Sequence, residues 1–479
     1  MSRARGLSFD GMLVGLLFVV VAFGAFLTVA QADTFWALRA GQDIWRTGHV
    51  PNTDTYSFTA FGQPWPDHEW LWQAVAYPIF RVGGFPLLTA FAAVLVIAAV
   101  AIVYRLTVGA VPTRFALVAL AIPLSSLVWA LRPQLVTLLA LAVLLWLLVH
   151  ERFAWLPPLF LVWANAHGGV ALGGVVLIAA CAAAGLRAWR AEATPDDRRR
   201  ARRLGVVAPL CVLATALTPL GLDLFRFVVA SEARLRAAHI SEWLPPSLGL
   251  LAPFWIFAIA FVGLLIVRRR RLGAASWQDW VSVAAVVALL PFAARSARQI
   301  GPWLLLAPVA TSRLLGPDFR WRRRPRAASP DHPRLNLLVL ASFVAALVLC
   351  VGVAWARPLP RLGWRPVPEA ALTALRACPD PLYNHYDEGG YLIWLLPERK
   401  VFVDNRQDPY ALPFLIEHAR VESGHAPWEP LFRRWNIRCA FLRDESPTQR
   451  QLVAAGWTTR FRDDTWAVLS APAVGADAR

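Results

Sequence analysis

Asp33-Thr-Phe-Trp-Ala-Leu-Arg-Ala-Gly-Gln-Asp-Ile-Trp-Arg-Thr-Gly-His-Val-Pro-Asn-Thr-Asp-Thr-Tyr-Ser-Phe-Thr59, continued by Gln63-Pro-Trp-Pro-Asp-His-Glu-Trp-Leu71, is a polar stretch set between apolar ones. Roughly forty residues without a membrane-length apolar run must lie outside a hydrocarbon core, where exposed irregular backbone is not tolerated. The run just before it, residues 11 to 30, is as long as a full span. It lacks a small-residue cleavage site followed by a soluble domain, so it reads as a retained first helix.

Working outward, the whole chain of 479 residues is 57% hydrophobic and only 16% charged. That balance excludes an ordinary soluble protein and makes the lipid bilayer a partner. The net charge of +17 does not indicate nucleic acid. Its arginines fall in short clusters beside apolar segments, where they orient spans and meet anionic headgroups.

Apolar runs predict about eleven spans: 11 to 30, 85 to 104, 114 to 130, 134 to 149, 153 to 167, 169 to 188, 204 to 221, 250 to 267, 278 to 294, 299 to 316 and 335 to 356. With Arg3 and Arg5 inside, Arg105 with Arg114, Glu151-Arg152, residues 187 to 203, Arg268 to Arg271 and residues 320 to 334 also fall inside. The positive-inside rule is then met at every turn, and everything after about residue 357 lies outside. The fold expected is mainly α, a polytopic helical bundle with a cytoplasmic amino terminus in the plasma membrane. Residues 1 to 356 form its transmembrane domain, including an outer loop over 31 to 84. Residues 357 to 479 form a small extracytoplasmic α/β domain.

That second part has helical patterns at 367 to 377, 389 to 396, 411 to 422 and 428 to 435. Strands are expected at 382 to 384, 400 to 404, 439 to 442 and 465 to 469. The five cysteines show no metal-ligand spacing. Cys181, Cys211 and Cys350 lie in apolar segments, whereas Cys378 and Cys439 can pair if their domain faces an oxidising compartment.

Polar chemistry gathers on the outer face, where an ionisable residue at a span end is unfavourable without a cavity or partner. Asp33, shielded by Phe35 and Trp36, can take a proton from a hydroxyl as a general base. Alternatively, Asp33 or a neighbour caps an interfacial helix over 34 to 47. His68 and Glu69, with Asp67, His49 and Asp54, supply imidazole and carboxylate ligands for a divalent cation. The other reading is a proline-bounded loop anchoring a tryptophan-rich interfacial helix through Trp65, Trp70 and Trp72. Arg132, Arg295 and Arg298 present guanidinium forks suited to a phosphate or pyrophosphate.

His167, in Trp163-Ala-Asn-Ala-His-Gly-Gly169, sits where glycines let a backbone or ligand approach closely; a structural hydrogen bond from Asn165 or His167 is the alternative. Glu242, after His239, is a second outer acid able to assist Asp33 or bind a metal, or is a solvated loop charge. In the carboxy-terminal part, Gly389-Gly390 does not match a phosphate-binding fingerprint, and Asp404 can pair with Arg406 to hold a loop.

Together these stretches resemble the GT-C superfamily of lipid-linked-sugar glycosyltransferases, which includes protein mannosyltransferases, oligosaccharyltransferases, and aminoarabinose and arabinofuranosyl transferases. More narrowly, Asp33-Thr-Phe-Trp, Gly48-His-Val-Pro51, Asp54-Thr-Tyr-Ser-Phe58, His68-Glu-Trp-Leu71, Arg132-Pro-Gln134, Trp163 to Gly169, Glu242-Trp243, Gly389-Gly-Tyr and Val403-Asp-Asn-Arg406 are similar to a large group of bacterial multi-span proteins. The resemblance implies transfer of a sugar from a polyprenyl-phosphate donor to an extracytoplasmic acceptor. It gives Asp33 the part of base or acceptor-orienting acid, and gives Arg132, Arg295 and Arg298 the carrier phosphate. Many members carry two acids close together after the first span, whereas Asp33 stands between Ala32 and Thr34. The alternative is a non-catalytic scaffold or transporter of envelope polysaccharide assembly. The sequence lacks the repeats and midplane charges typical of transporters.

Overall fold

The computed structural model describes residues 6–227, 230, 241–249, 251–317, 319, 331–358 and 360–472. Two compact units result, one of Met1–Val29 with Gly83–Leu359, the other of Ala30–Val82 with Pro360–Arg479. The chain passes from the second unit to the first inside the Trp70–Leu106 run. That helix is broken at Gly83 and Gly84, and the φ of 61° at Gly84 suits a residue without Cβ.

The first unit is helical. A helix lies on each of the eleven apolar segments: Phe9–Phe26, the later part of Trp70–Leu106, Val111–Ser126, Gln134–Val149, Leu156–Ala166, Val170–Trp189, Pro195–Thr215, Ala252–Arg268, Trp277–Arg295, Ile300–Leu315 and Pro333–Ala356. Among the described residues, 6 helices are long and apolar enough to cross a membrane. The expectation of a full span at 153 to 167 does not fit Leu156–Ala166. Even with the 3-10 turn Phe153–Trp155 that leads into it, the run Phe153–Ala166 rises only about 20 Å, short of a hydrocarbon core.

Ile300–Leu315 is buried almost throughout and packs against Val111–Ser126 and Trp277–Arg295. Phe254, Phe257 and Phe261 set their rings edge-on to its Trp303 at 5.6 to 5.8 Å. Pro333–Ala356, by contrast, packs on Phe9–Phe26 and exposes Leu338, Phe343, Val348 and Leu349. Such an apolar outer face is at ease only in hydrocarbon, where close packing, not water exclusion, joins helices.

The second unit is α/β. Strands β1 (Leu382–Asn384), β2 (Cys439–Arg443), β3 (Thr458–Arg462) and β4 (Trp466–Ser470) form one sheet in the order β1-β2-β4-β3. The β1/β2 pair is parallel and the other two are antiparallel. Cys378 and Cys439 form a disulfide. The expected helices appear at Glu369–Ala377, Gly389–Leu395, Leu412–Glu422 and Glu429–Arg434. A further helix, Pro447–Ala454, and strand β3 are additional to the sequence reading.

The strand expected at 400 to 404 is not part of the sheet. Val401 pairs in an isolated bridge with Ser57, and the Asn384 side chain bonds to Phe402 N and Val403 O at 2.8 and 2.7 Å. One side chain thus supplies the donor and acceptor that a neighbouring strand would have supplied. The same contacts explain why Ala30–Val82 groups with Pro360–Arg479 in one compact unit. Phe58 and Ala60 of the first outer loop pack into the core formed by Tyr383, Phe402, Phe432 and Trp457. The loop belongs with the carboxy-terminal part because it is built into its core.

Candidate functional site

Asp33 lies in the first turn of Ala32–Thr47, the helix expected as interfacial. The residue before that helix is Gln31, whose N–H bonds to the Thr34 hydroxyl at 3.1 Å. Capping therefore falls to its neighbours, and the Asp33 carboxylate is directed elsewhere. Its Oδ1 accepts from Trp36 Nε1 at 3.2 Å and from the Asn405 amide. The positive end of the helix dipole favours a carboxylate at this position. Tyr391 stacks edge-on against Phe35, with ring centroids 5.1 Å apart. Burial, with the charges of Glu388, Asp387 and Asp33, pushes the Tyr391 phenol up to about 12.

Two glycines bring this arrangement together. A Cβ on Gly390 would stand 2.5 Å from Ala32 O and 2.8 Å from Asn405 Oδ1. A Cβ on Gly389 would stand 2.0 Å from Val403 O. The Gly-Gly pair thus serves close packing of backbone on backbone.

Behind Asn405 is a buried ionic lock. Arg406 Nη2 reaches Asp54 Oδ1 at 2.6 Å and Asp404 Oδ2 at 2.7 Å, and Tyr410 donates to Asp404 at 2.6 Å. The guanidinium lies over Tyr56 and Trp65, 4.8 and 4.6 Å from their ring centres. Burial lowers the pKa of Arg406, but Asp404 and Asp54 outweigh it and push it well up. Asp404 and Arg406 do pair, and Asp54 joins them rather than the divalent-cation ligands expected from sequence. Among the described residues, no group of three or more His, Cys, Asp or Glu side chains is placed to hold a metal. Trp65 and Trp72 are buried in protein instead of lying at an interface.

Asp67 is buried and accepts from Gln73 Nε2 at 2.7 Å. Burial raises its pKa to about 7, against the lowering effects of His68 and Gln73. His68 and Glu69 face each other at 3.5 Å. Burial pulls His68 down, but Glu69, then Asp408 and Asp67, raise it to about 9.

The first unit holds a separate cluster. Glu242 bridges Arg132 Nη1 at 3.2 Å and Arg298 Nη1 at 2.8 Å. Burial raises the Glu242 pKa, yet Arg298 and Arg132 more than reverse this and keep it below the usual carboxylate range. His167 adjoins the same group. Its Nδ1 accepts from Gly169 N at 3.2 Å and meets Thr137 Oγ1 at 2.7 Å, while Trp163 Nε1 donates to that hydroxyl at 2.9 Å. His167 Nε2 lies 3.5 Å from Arg298 Nη2. The guanidinium of Arg298, with that of Arg132, suits an anionic acceptor. A Cβ on Gly169 would sit 2.2 Å from Thr137 Oγ1, so glycine there keeps the Thr137–His167 contact open.

Asn165 donates to Leu217 O at 3.0 Å, so its bond to a neighbouring segment is structural. Arg295 is exposed at the end of Trp277–Arg295, three residues before Arg298. His239 lies outside the described residues.

Sequence reading passed over Asn405 and Thr137. Asn405 stood inside the quoted Val403-Asp-Asn-Arg406 motif, but its charged neighbours carried the visible signal. The stretch just before Gly389-Gly390 also holds a buried network. Glu388 meets His385 at 2.8 Å and Arg443 at 2.8 Å, and Glu422 meets His418 at 3.2 Å. Burial pushes Glu422 up to about 8 and His418 down to about 3.

The chain is mainly helical, its first apolar helix is followed by an acid-bearing amphipathic helix, and a small α/β unit accompanies them. Among solved structures, the Archaeoglobus fulgidus oligosaccharyltransferase tethered to an acceptor peptide containing the NVT sequon has a TM-score of 0.54 and 10% identity, covering 89% of this chain and 68% of that one. The same enzyme in its apo form has a TM-score of 0.52 and 10% identity, covering 90% and 69%. No protein-family pattern and no curated protein sequence matches the chain.

Proposed function

We propose that this protein is a membrane glycosyltransferase that moves a sugar from a polyprenyl-phosphate donor to a hydroxyl-bearing extracytoplasmic acceptor. The observation that carries the reading is Asp33, an oriented carboxylate in the first turn after the first apolar helix of a GT-C fold. Asp33 accepts the proton of the acceptor hydroxyl as that oxygen bonds to the anomeric carbon. The bond from that carbon to the carrier phosphate breaks, and the phosphate leaves with the bonding pair.

Arg132 and Arg298, with His167 beside them, are assigned to the carrier phosphate, whose charge the guanidinium groups stabilise. Two arginines against one Glu242 leave the cluster with a net positive charge that a phosphate neutralises. Arg295, His68 and Glu69 are assigned to substrate binding outside these two groups. The Cys378–Cys439 disulfide supports an oxidising, extracytoplasmic setting for the α/β unit.

The test is reconstitution of the whole chain in proteoliposomes with a panel of polyprenyl-phosphate sugars and hydroxyl acceptors. Transfer by wild type that Asp33→Asn abolishes is expected. Undiminished transfer by Asp33→Asn would overturn the role given to this residue.

A further inference from the structure

We propose that Asn405 is a positioning residue for Asp33, so that the carboxy-terminal α/β segment supplies part of the reaction centre. This rests on reading Asp33 as the base. The Asn405 amide donates to Asp33 Oδ1, the same oxygen that accepts from Trp36 Nε1 at 3.2 Å. Two donors on one carboxylate oxygen hold the plane of the group and favour its charged form, which a general base needs before it can act.

Asn405 is itself held from both sides. Asp404 and Arg406 are fully buried at their side chains and tied to Asp54 and Tyr410. Buried charges with this many partners have little freedom to rearrange, so the backbone between them is fixed. Gly390 then allows Asn405 and the carbonyl of Ala32 to stand closer than any side chain at position 390 would permit. Without a Cβ there, helix Gly389–Leu395 lies directly on the start of Ala32–Thr47. The ionic lock, the glycine pair and the asparagine therefore have a single product, an amide aimed at Asp33. A loop tie alone would need only the Asp54–Arg406 pair, which already joins the same two segments.

The experiment is modification of Asp33 by a hydrophobic carbodiimide, which attacks protonated carboxyls, in the purified full-length protein in nanodiscs. Labelling at neutral pH is read by peptide mass spectrometry for wild type, Asn405→Ala and Asn405→Asp, with thermal unfolding measured in parallel. Removing the donor, or placing a second carboxylate beside Asp33, makes protonation of Asp33 easier. Asp33 labelling is expected to rise several-fold in both variants, and more in Asn405→Asp.

Equal labelling in wild type and in whichever variant folds would overturn the proposal. The reading does not depend on turnover. If labelling shifts while Asp33→Asn still transfers sugar, the positioning stands and the base assignment falls. If an acceptor is found, Asn405→Ala is expected to lower kcat with the donor KM unchanged, whereas a rise in KM alone would count against positioning.

Discussion

Asn405 donates a hydrogen bond to the Asp33 carboxylate across 372 positions of sequence. The start of helix Ala32–Thr47 and the last third of the chain thus meet at one functional group.

Asp33→Asn is expected to reduce sugar transfer by about 10²- to 10⁴-fold, the range of general-base contributions. Stability should change little, because the new amide keeps an oxygen for Trp36 and Asn405. Turnover in proteoliposomes and thermal unfolding of the same preparation check the two halves.

Arg298→Ala leaves Glu242 with Arg132 and removes one of the donors facing the anion. A charge-assisted hydrogen bond is worth about 1.5–3 kcal/mol, so binding of polyprenyl phosphate should weaken roughly 10- to 100-fold. Glu242→Gln should act in the opposite direction, because it removes the carboxylate that competes for both guanidinium groups. Native mass spectrometry against ordinary phospholipid measures both.

Arg406→Met leaves Asp54 and Asp404 buried without their cation. Breaking such a pair from one side costs about 3–5 kcal/mol. A large fall in the unfolding temperature is expected, and an unchanged midpoint would contradict the lock.

Asp67 offers a pH test. Its folded pKa, about 7, is raised above the model-peptide value by burial. A group raised in this way contributes stability that is complete below its unfolded pKa and lost as pH rises through the folded one. Asp67→Asn removes that dependence. The unfolding temperature of the variant should therefore gain on wild type as pH rises from about 4 to about 7, then run parallel with it. A constant gap across this range would show that Asp67 is charged throughout.

Alkylation of the denatured, unreduced protein should modify Cys181, Cys211 and Cys350 and spare Cys378 and Cys439. Intact mass after alkylation decides this, and modification of all five cysteines would refute the disulfide.

What the sequence determined by itself was local. Apolar runs foretold where the helices of the first unit lie, because burial in hydrocarbon imposes length and composition on each segment separately. Asp33's amphipathic helix and most of the α/β elements were legible from the periodicity of each segment. The length of Leu156–Ala166 was not, since hydropathy marks an apolar run without showing where within it the α-helix begins. Tertiary structure decided the partners. It gave Asp54 to Arg406, placed Glu242 between Arg132 and Arg298, set His167 against Thr137 and Gly169, and brought Asn405 to Asp33. It also moved residues 400 to 404 out of the sheet, where an asparagine side chain and the loop around Ser57 satisfy their backbone. Periodicity records how one segment meets its surroundings. Which charge meets which, over hundreds of residues, depends on close packing that leaves no mark in local sequence.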